Sequence, residues 1–203
     1  MKPKSIQSIC VFAGSADHLN QSYLDGAAEL GRCLAENQIR IIYGGGKTGL
    51  MGALADSALA AGGTVIGIVP RSLFQPQLIH DHLTELKIVD SMHQRKALMT
   101  QMADAFIALP GGFGTLDELF ETLTWIQIGI HRKPLGLLNL NSYFLPLLAM
   151  VNHAQQEGFI YANHRDLFAI EDDPHRLLAT LQNHRLPDHL EEWVSRPASS
   201  PNP

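Results

Sequence analysis

Short apolar runs alternate along the chain with longer stretches whose apolar residues recur every three or four positions. The runs Ile6–Phe12, Ile39–Tyr43, Thr64–Val69, Leu86–Val89, Ala105–Leu109 and Leu135–Leu140 are apolar nearly throughout rather than alternating. Strands covered on both faces read this way. Helix-like stretches fall at Ser22–Glu36, Leu50–Ala61, Met92–Met102, Leu116–Ile128 and Tyr143–Gln156, and Pro174 suits the first turn of a last helix. Regular strand–helix alternation predicts a doubly wound parallel sheet between two helical layers, with right-handed crossovers. Ligands of such sheets bind beyond the carboxyl ends of the strands. The 203 residues, 45% of them hydrophobic, suffice for a single core, placed at residues 1–194. The tail Ser195–Pro203, rich in Pro and Ser, is expected to be disordered.

Charge narrows the partners. The formal net charge is −5 and no run of Lys or Arg occurs, so neither a nucleic-acid polymer nor an anionic membrane finds the basic face it needs. Any phosphate must then be caught locally, by backbone and a few side chains. Cys10 and Cys33 stand apart from any His/Cys cluster, which argues against zinc and fits reduced thiols in a cytoplasmic protein. The segment Met1–Ser15 has too short an apolar run for a signal peptide, and no 18-residue apolar stretch follows.

Two glycine-rich turns each follow a strand and open a helix. The first, Tyr43-Gly44-Gly45-Gly46-Lys47-Thr48-Gly49, satisfies GxGxxG through Gly44, Gly46 and Gly49. The next strand ends Ile68-Val69-Pro70-Arg71 without the acid that a dinucleotide ribose requires, and a P-loop would need glycine where Ile41 stands. A tight packing turn and a phosphate contact through Gly45 and Gly46 both remain open readings. The second turn, Pro110-Gly111-Gly112-Phe113-Gly114-Thr115, is stronger. Gly111, Gly112 and Gly114 free the backbone, and Thr115 offers a hydroxyl and an N-cap, so a phosphate could rest there without a cationic side chain. Two such turns on one sheet suggest a cleft for a phosphorylated ligand.

Two charged residues stand in unexpected places. Thr115-Leu116-Asp117-Glu118 reads as a capping box, in which Glu118 folds back onto the helix start. The same placement aims its carboxylate at the glycine turn, where it could stabilise positive charge growing on a phosphosugar as a glycosidic bond breaks. Met92, Arg95, Met99 and Met102 share one helical stripe, so Arg95 interrupts an inward apolar face. A guanidinium there needs an anionic partner; a structural ion pair, a snorkelling head group and a cleft-lining arginine are the alternatives. Lys96 beside it could be a second anion contact.

The chain resembles the LOG (Lonely guy) family, the cytokinin riboside 5′-monophosphate phosphoribohydrolases, from Ile9 to about Phe168. The likeness is carried by Val11-Phe12-Ala13-Gly14-Ser15, Tyr43-Gly44-Gly45-Gly46 with Gly49-Leu50-Met51-Gly52, Met92-His93-Gln94-Arg95-Lys96, and the run Pro110 to Glu118. It implies a Rossmann-like homodimer that cleaves a nucleoside 5′-monophosphate into free base and ribose 5-phosphate without a cofactor or metal. By that resemblance Arg95 and Glu118 are the catalytic pair. Gly111, Gly112, Gly114, Thr115 and Asp117 would hold the phosphate end, and Lys96 and Thr124 would line the site. Two positions depart from the family's pattern. Asp117 replaces a glutamate, and Gln77 falls where many members carry a glutamate near the ligand, which bears on substrate preference.

The rival expectations are a nucleotide-binding regulator without chemistry and a pyridoxal-phosphate decarboxylase with Lys47 or Lys96 as the Schiff-base lysine. A hydride-transferring enzyme is weaker, for want of the ribose-binding acid.

Overall fold

The computed structural model describes residues 5–188 and Leu190. The expected tail 195–203 and the domain limit at residue 194 lie outside the described residues. Seven strands form one sheet: β1 (Ser8–Phe12), β2 (Arg40–Tyr43), β3 (Val65–Pro70), β4 (Glu85–Val89), β5 (Ala105–Ala108), β6 (Leu135–Leu138) and β7 (Ala169–Glu171). The helices are α1 (Gln21–Glu36), α2 (Gly49–Ala60), α3 (Met92–Met102), α4 (Phe113–Gln127), α5 (Leu145–Gln156) and α6 (Pro174–Asn183). Every strand pairing is parallel, in the order β4-β3-β2-β1-β5-β6-β7. The chain winds outward from β1 to β4, returns to the centre and winds outward again from β5 to β7. The reversal falls between β1 and β5, and a crevice opens beyond their carboxyl ends.

Strand side chains alternate between two cores, which is why the strands read as unbroken apolar runs. Ile9, Val11, Ile41, Tyr43 and Ile107 face a layer containing Leu30 and Leu34 of α1, Leu54 and Ala58 of α2, and Leu177 and Leu181 of α6. Cys10, Phe12, Ile42, Phe106 and Ala108 face a layer containing Met99 of α3 and Leu119 and Ile126 of α4. The three-layer expectation therefore holds. One strand departs from it: β4, expected to be covered on both faces, is the sheet's edge, with Leu86 and Ile88 exposed. β7 was not anticipated, because Ala169-Ile170-Glu171 is too short to show a period.

Helix starts follow local chemistry. Asn20 and Ser91 accept hydrogen bonds from the Ser22 and Gln94 N–H groups and cap α1 and α3. Asp173 caps α6, with Pro174 at its first position. No helix among the described residues is long and apolar enough to cross a membrane.

Candidate active site

A cleft of about 740 Å³ occupies the crevice between the two halves of the sheet. Its walls come from the turns after β1, β2, β3 and β5 and from α3 and α4. Gly14, just past β1, ties these turns together: its N–H donates to the Pro110 carbonyl at 3.1 Å, and its own carbonyl accepts from Leu50 and Met51 at 2.9 and 3.2 Å. A Cβ at position 14 would lie 3.1 Å from Gly111 Cα, so any larger residue would press the two turns apart by a few tenths of an ångström.

The inward stripe of α3 delivers Arg95 into this cleft, 9% exposed. Its Nε donates to the Ile68 carbonyl of β3 at 3.0 Å, and its Nη1 lies 3.0 Å from Glu118 Oε1. Gly44 leaves room for the guanidinium, since a Cβ there would come within 2.5 Å of Arg95 Nη2. Glu118 is 11% exposed at its side chain and also lines the cleft. Burial pushes its carboxyl above the usual carboxylate range, while Arg95 and then Lys96 pull in the opposite direction. Both the ion-pair and the cleft-lining readings of Arg95 are thus realised by one contact. The capping-box reading of Glu118 does not hold: Gly112 is the N-cap, α4 begins at Phe113, and Glu118 sits in the second turn against Arg95. Thr115, expected as the N-cap, is instead a buried residue of the first helical turn.

Because α4 begins at Phe113, the N–H groups of Phe113, Gly114 and Thr115 have no intrahelical acceptor and stand at the positive end of the helix dipole. The glycines around them divide by cause. A Cβ on Gly111 would sit 2.1 Å from Thr115 Oγ1, so packing requires that glycine. A Cβ on Gly112 or Gly114 would meet nothing within 4 Å. These two present bare backbone to open space, which suits a ligand that approaches the amides closely. Among the described residues, Arg95 is the one Lys or Arg in the cleft wall, and Glu118 engages it.

The first glycine turn is built differently. The carbonyl of Gly14 occupies the Leu50 and Met51 amides at the start of α2, and Thr48 Oγ1 donates to the Ser15 carbonyl at 2.7 Å. Gly45 and Gly46 dock the segment before β4: the Gly45 carbonyl accepts from His80 N–H at 3.0 Å and Gly46 bridges to Ile79. Gly45 takes a left-handed φ of 81°, packed on Val69. Gly46 borders the cleft, whereas Gly45 lies behind it. The docked segment supplies Leu78 and Ile79, and with Leu73, Met51 and Met92 they make the far wall apolar.

Other expected residues lie outside the cleft wall. Lys96 Nζ pairs with Asp117 at 2.7 Å and Glu121 at 3.4 Å, tying α3 to α4 behind the Arg95–Glu118 pair. Thr124 is exposed and its hydroxyl donates to the Phe120 carbonyl at 2.8 Å. Gln77 bonds to Gln75 on the surface, one residue from Leu78. Ser15, named above only as part of a motif, and Tyr23 and Tyr143, which the sequence did not single out, also border the cleft. Their signal was positional: Ser15 and Tyr143 follow the carboxyl ends of β1 and β6, where ligands of doubly wound sheets bind.

The fold and this cleft define a Rossmann-like α/β protein with an anion-attracting helix start beside a buried guanidinium–carboxylate pair. Its fold matches a molybdenum cofactor carrier protein from Chlamydomonas reinhardtii, with a TM-score of 0.66 and 22% identity over 87% of this chain and 96% of that one. Residues 51–181 match a family model described as "Possible lysine decarboxylase". A cytokinin riboside 5′-monophosphate phosphoribohydrolase from Rhodococcoides fascians is 50% identical over 155 residues, 76% of this chain and 78% of that protein. Another from Arabidopsis thaliana is 42% identical over 91% of this chain and 86% of its own. The chain belongs to the cytokinin riboside 5′-monophosphate phosphoribohydrolase family.

Proposed function

We propose that this protein hydrolyses the N-glycosidic bond of nucleoside 5′-monophosphates, adenosine monophosphate or its N6-substituted relatives, to free base and ribose 5-phosphate. The observation that carries this reading is the Arg95–Glu118 pair, buried within the same cleft as the bare start of α4. The α4 amides donate to the 5′-phosphate. With a rise of about 1.5 Å per residue, Glu118 lies about 7.5 Å along the helix from Phe113, roughly the reach of a ribose and its 5′ arm. The C1′–N bond breaks with its electron pair leaving on the base, which gains a proton. Glu118 stabilises the cationic sugar and takes a proton from the water that adds at C1′, and that proton is the one passed on to the departing base. Arg95 holds that carboxylate in place and favours its ionised form against the opposing effect of burial. Phosphate anchoring is remote binding energy used for positioning, so a nucleoside reacts far more slowly than its monophosphate. The apolar wall of Leu73, Leu78, Ile79 and Met92 fits an N6 substituent.

Lysine decarboxylation finds no support in the cleft. Lys47 pairs with Asp81 at 3.2 Å and Lys96 with Asp117, and neither is part of the wall. We assign the protein to the cytoplasm, since Cys10 and Cys33 are buried, free thiols. A homodimer is supported by exposed Phe113, Phe120 and Ile128 on α4 and at its end, an apolar stripe that a second copy would cover. Light scattering showing a monomer at assay concentration would remove that assignment.

The activity is tested by incubating the protein with adenosine monophosphate, its N6-isopentenyl derivative and the two nucleosides, then separating the products. Free base is expected from the monophosphates. Glu118→Gln is expected to lose on the order of 10²–10³ or more in kcat while still binding nucleotide. Nucleotide binding without base release would select a regulator on the same cleft, and equal turnover of nucleoside and nucleotide would refute the phosphate anchor.

A further inference from the structure

The turn between β6 and α5 carries a backbone distortion that neither the sheet nor the helix requires. Asn141 and Ser142 are consecutive non-glycine residues at φ 50° and 61°, left-handed backbone that side-chain-bearing residues seldom adopt. Such a conformation persists only where the surroundings over-determine it, and here they do. The Asn139 carboxamide oxygen accepts from Phe144 N–H at 2.8 Å, and Asn141 Nδ2 donates to Ser22 Oγ of α1 at 2.6 Å. Leu140 fills the space left by Gly26 of α1, where a Cβ would come within 2.6 Å of its methyl groups. Phe144 is 1% exposed and anchors the far side of the turn.

The residue delivered by this turn is Tyr143. Its ring meets Tyr23 edge-on at 6.2 Å, it borders the cleft, and its hydroxyl donates to the Gly111 carbonyl at 2.5 Å. Gly111 is the residue before the N-cap of α4. The peptide between Gly111 and Gly112 is planar, and in the trans form its C=O and N–H point in opposite directions. Holding the carbonyl therefore fixes the direction of the Gly112 N–H, the amide that precedes the free N–H groups of Phe113 and Gly114. Packing of Gly111 on Thr115 and the helical bond from Leu116 N–H to the Gly112 carbonyl at 3.0 Å hold the two flanking ends, and the Tyr143 hydroxyl adds a bond to the carbonyl of the peptide between them.

We propose that Tyr143 is a positioning residue for the phosphate: held by the strained Asn141–Ser142 turn, its hydroxyl locks the Gly111–Gly112 peptide so that the start of α4 is preorganised for an anion. This rests on the proposed location of the 5′-phosphate, but it is read by binding as well as by turnover. Tyr143→Phe removes the hydroxyl and keeps the ring against Tyr23. Titrated by calorimetry into the full chain, ribose 5-phosphate is expected to bind the variant about tenfold more weakly than the wild type, the upper range for one lost hydrogen bond. In turnover, KM for the monophosphate rises by a similar factor and kcat stays within about twofold. Adenosine, which has no phosphate, loses nothing. Unchanged affinity for ribose 5-phosphate, or equal losses for adenosine and adenosine monophosphate, overturns the proposal. A wild-type protein that binds ribose 5-phosphate but releases no base defeats the proposed activity and leaves the assignment of Tyr143 standing, whereas a wild type that binds no ribose 5-phosphate defeats Tyr143's role directly.

Discussion

At the scale of single residues, the cleft is organised by one buried charge and its partner. Arg95 was legible in the sequence because it breaks a methionine stripe, and an arginine on an inward face needs an anion. Glu118 was legible for a mistaken local reason, since the spacing from Thr115 suggests a cap while the helix actually begins two residues before Thr115. Tyr143 was not legible: nothing in its neighbours reports that its hydroxyl would meet a carbonyl 32 residues earlier. The pair also carries a pH signature. Burial already raises the Glu118 carboxyl, and Arg95 is the largest influence holding it down. Arg95→Met should therefore raise it further, moving the acid limb of kcat/KM to higher pH. The folded state then keeps a proton that the unfolded chain has released, so stability falls as pH rises from the ordinary carboxylate range through the raised value. Urea unfolding of the variant should show a steeper decline between pH 5 and 8 than the wild type. An acid limb that stays in place would show that Arg95 does not govern the ionisation of Glu118.

At the scale of elements, local pattern located nearly every strand and helix, several of them to the starting residue (α3 at Met92, β5 at Ala105, β6 at Leu135), and missed most at the start of α4. α4 starts at Phe113 rather than at the expected Leu116, because Gly112 serves as the cap and glycines at 112 and 114 hide the helical period. Those three residues put the free amides of α4 at Phe113, Gly114 and Thr115 rather than at Leu116 and beyond. The two glycine turns looked alike in sequence and differ in structure for a reason no spacing reveals. A carbonyl from the end of β1 fills the amides of α2, whereas the amides of α4 meet open space at Gly112 and Gly114. The first turn's outward edge instead holds the segment that brings Leu78 and Ile79 to the cleft. β4 shows the converse limit: its apolar residues predicted a covered strand, but composition does not say which strand will be outermost.

At the scale of the whole molecule, the winding order places the cleft between two halves of one sheet, and the second half carries an acid-sensitive element. His131, between α4 and β6, stacks on Phe106 at 5.3 Å, and its Nε2 is buried with no hydrogen-bond partner among the described residues. Burial first, then Lys133, lowers its pKa from 6.5 to about 4. Burial likewise lowers His164 and His184, which pack nearer the end of the chain. Each imidazole is held neutral in the fold but binds a proton in the unfolded chain. Stability from all three is lost as pH falls below about 6.5, and for His131 the loss runs toward about pH 4, opposite in sign to the contribution of Glu118. For His131 the fall from 6.5 to about 4 corresponds to about 3.5 kcal/mol, and partial solvent access reduces the loss expected at pH 5 to about 1 kcal/mol. His131→Phe keeps the stack on Phe106 and removes the titration. Urea unfolding at pH 7.5 and pH 5 should show a difference about 1 kcal/mol smaller in the variant than in the wild type. If the two proteins lose the same stability between those pH values, the acid sensitivity of this half of the sheet belongs to other groups.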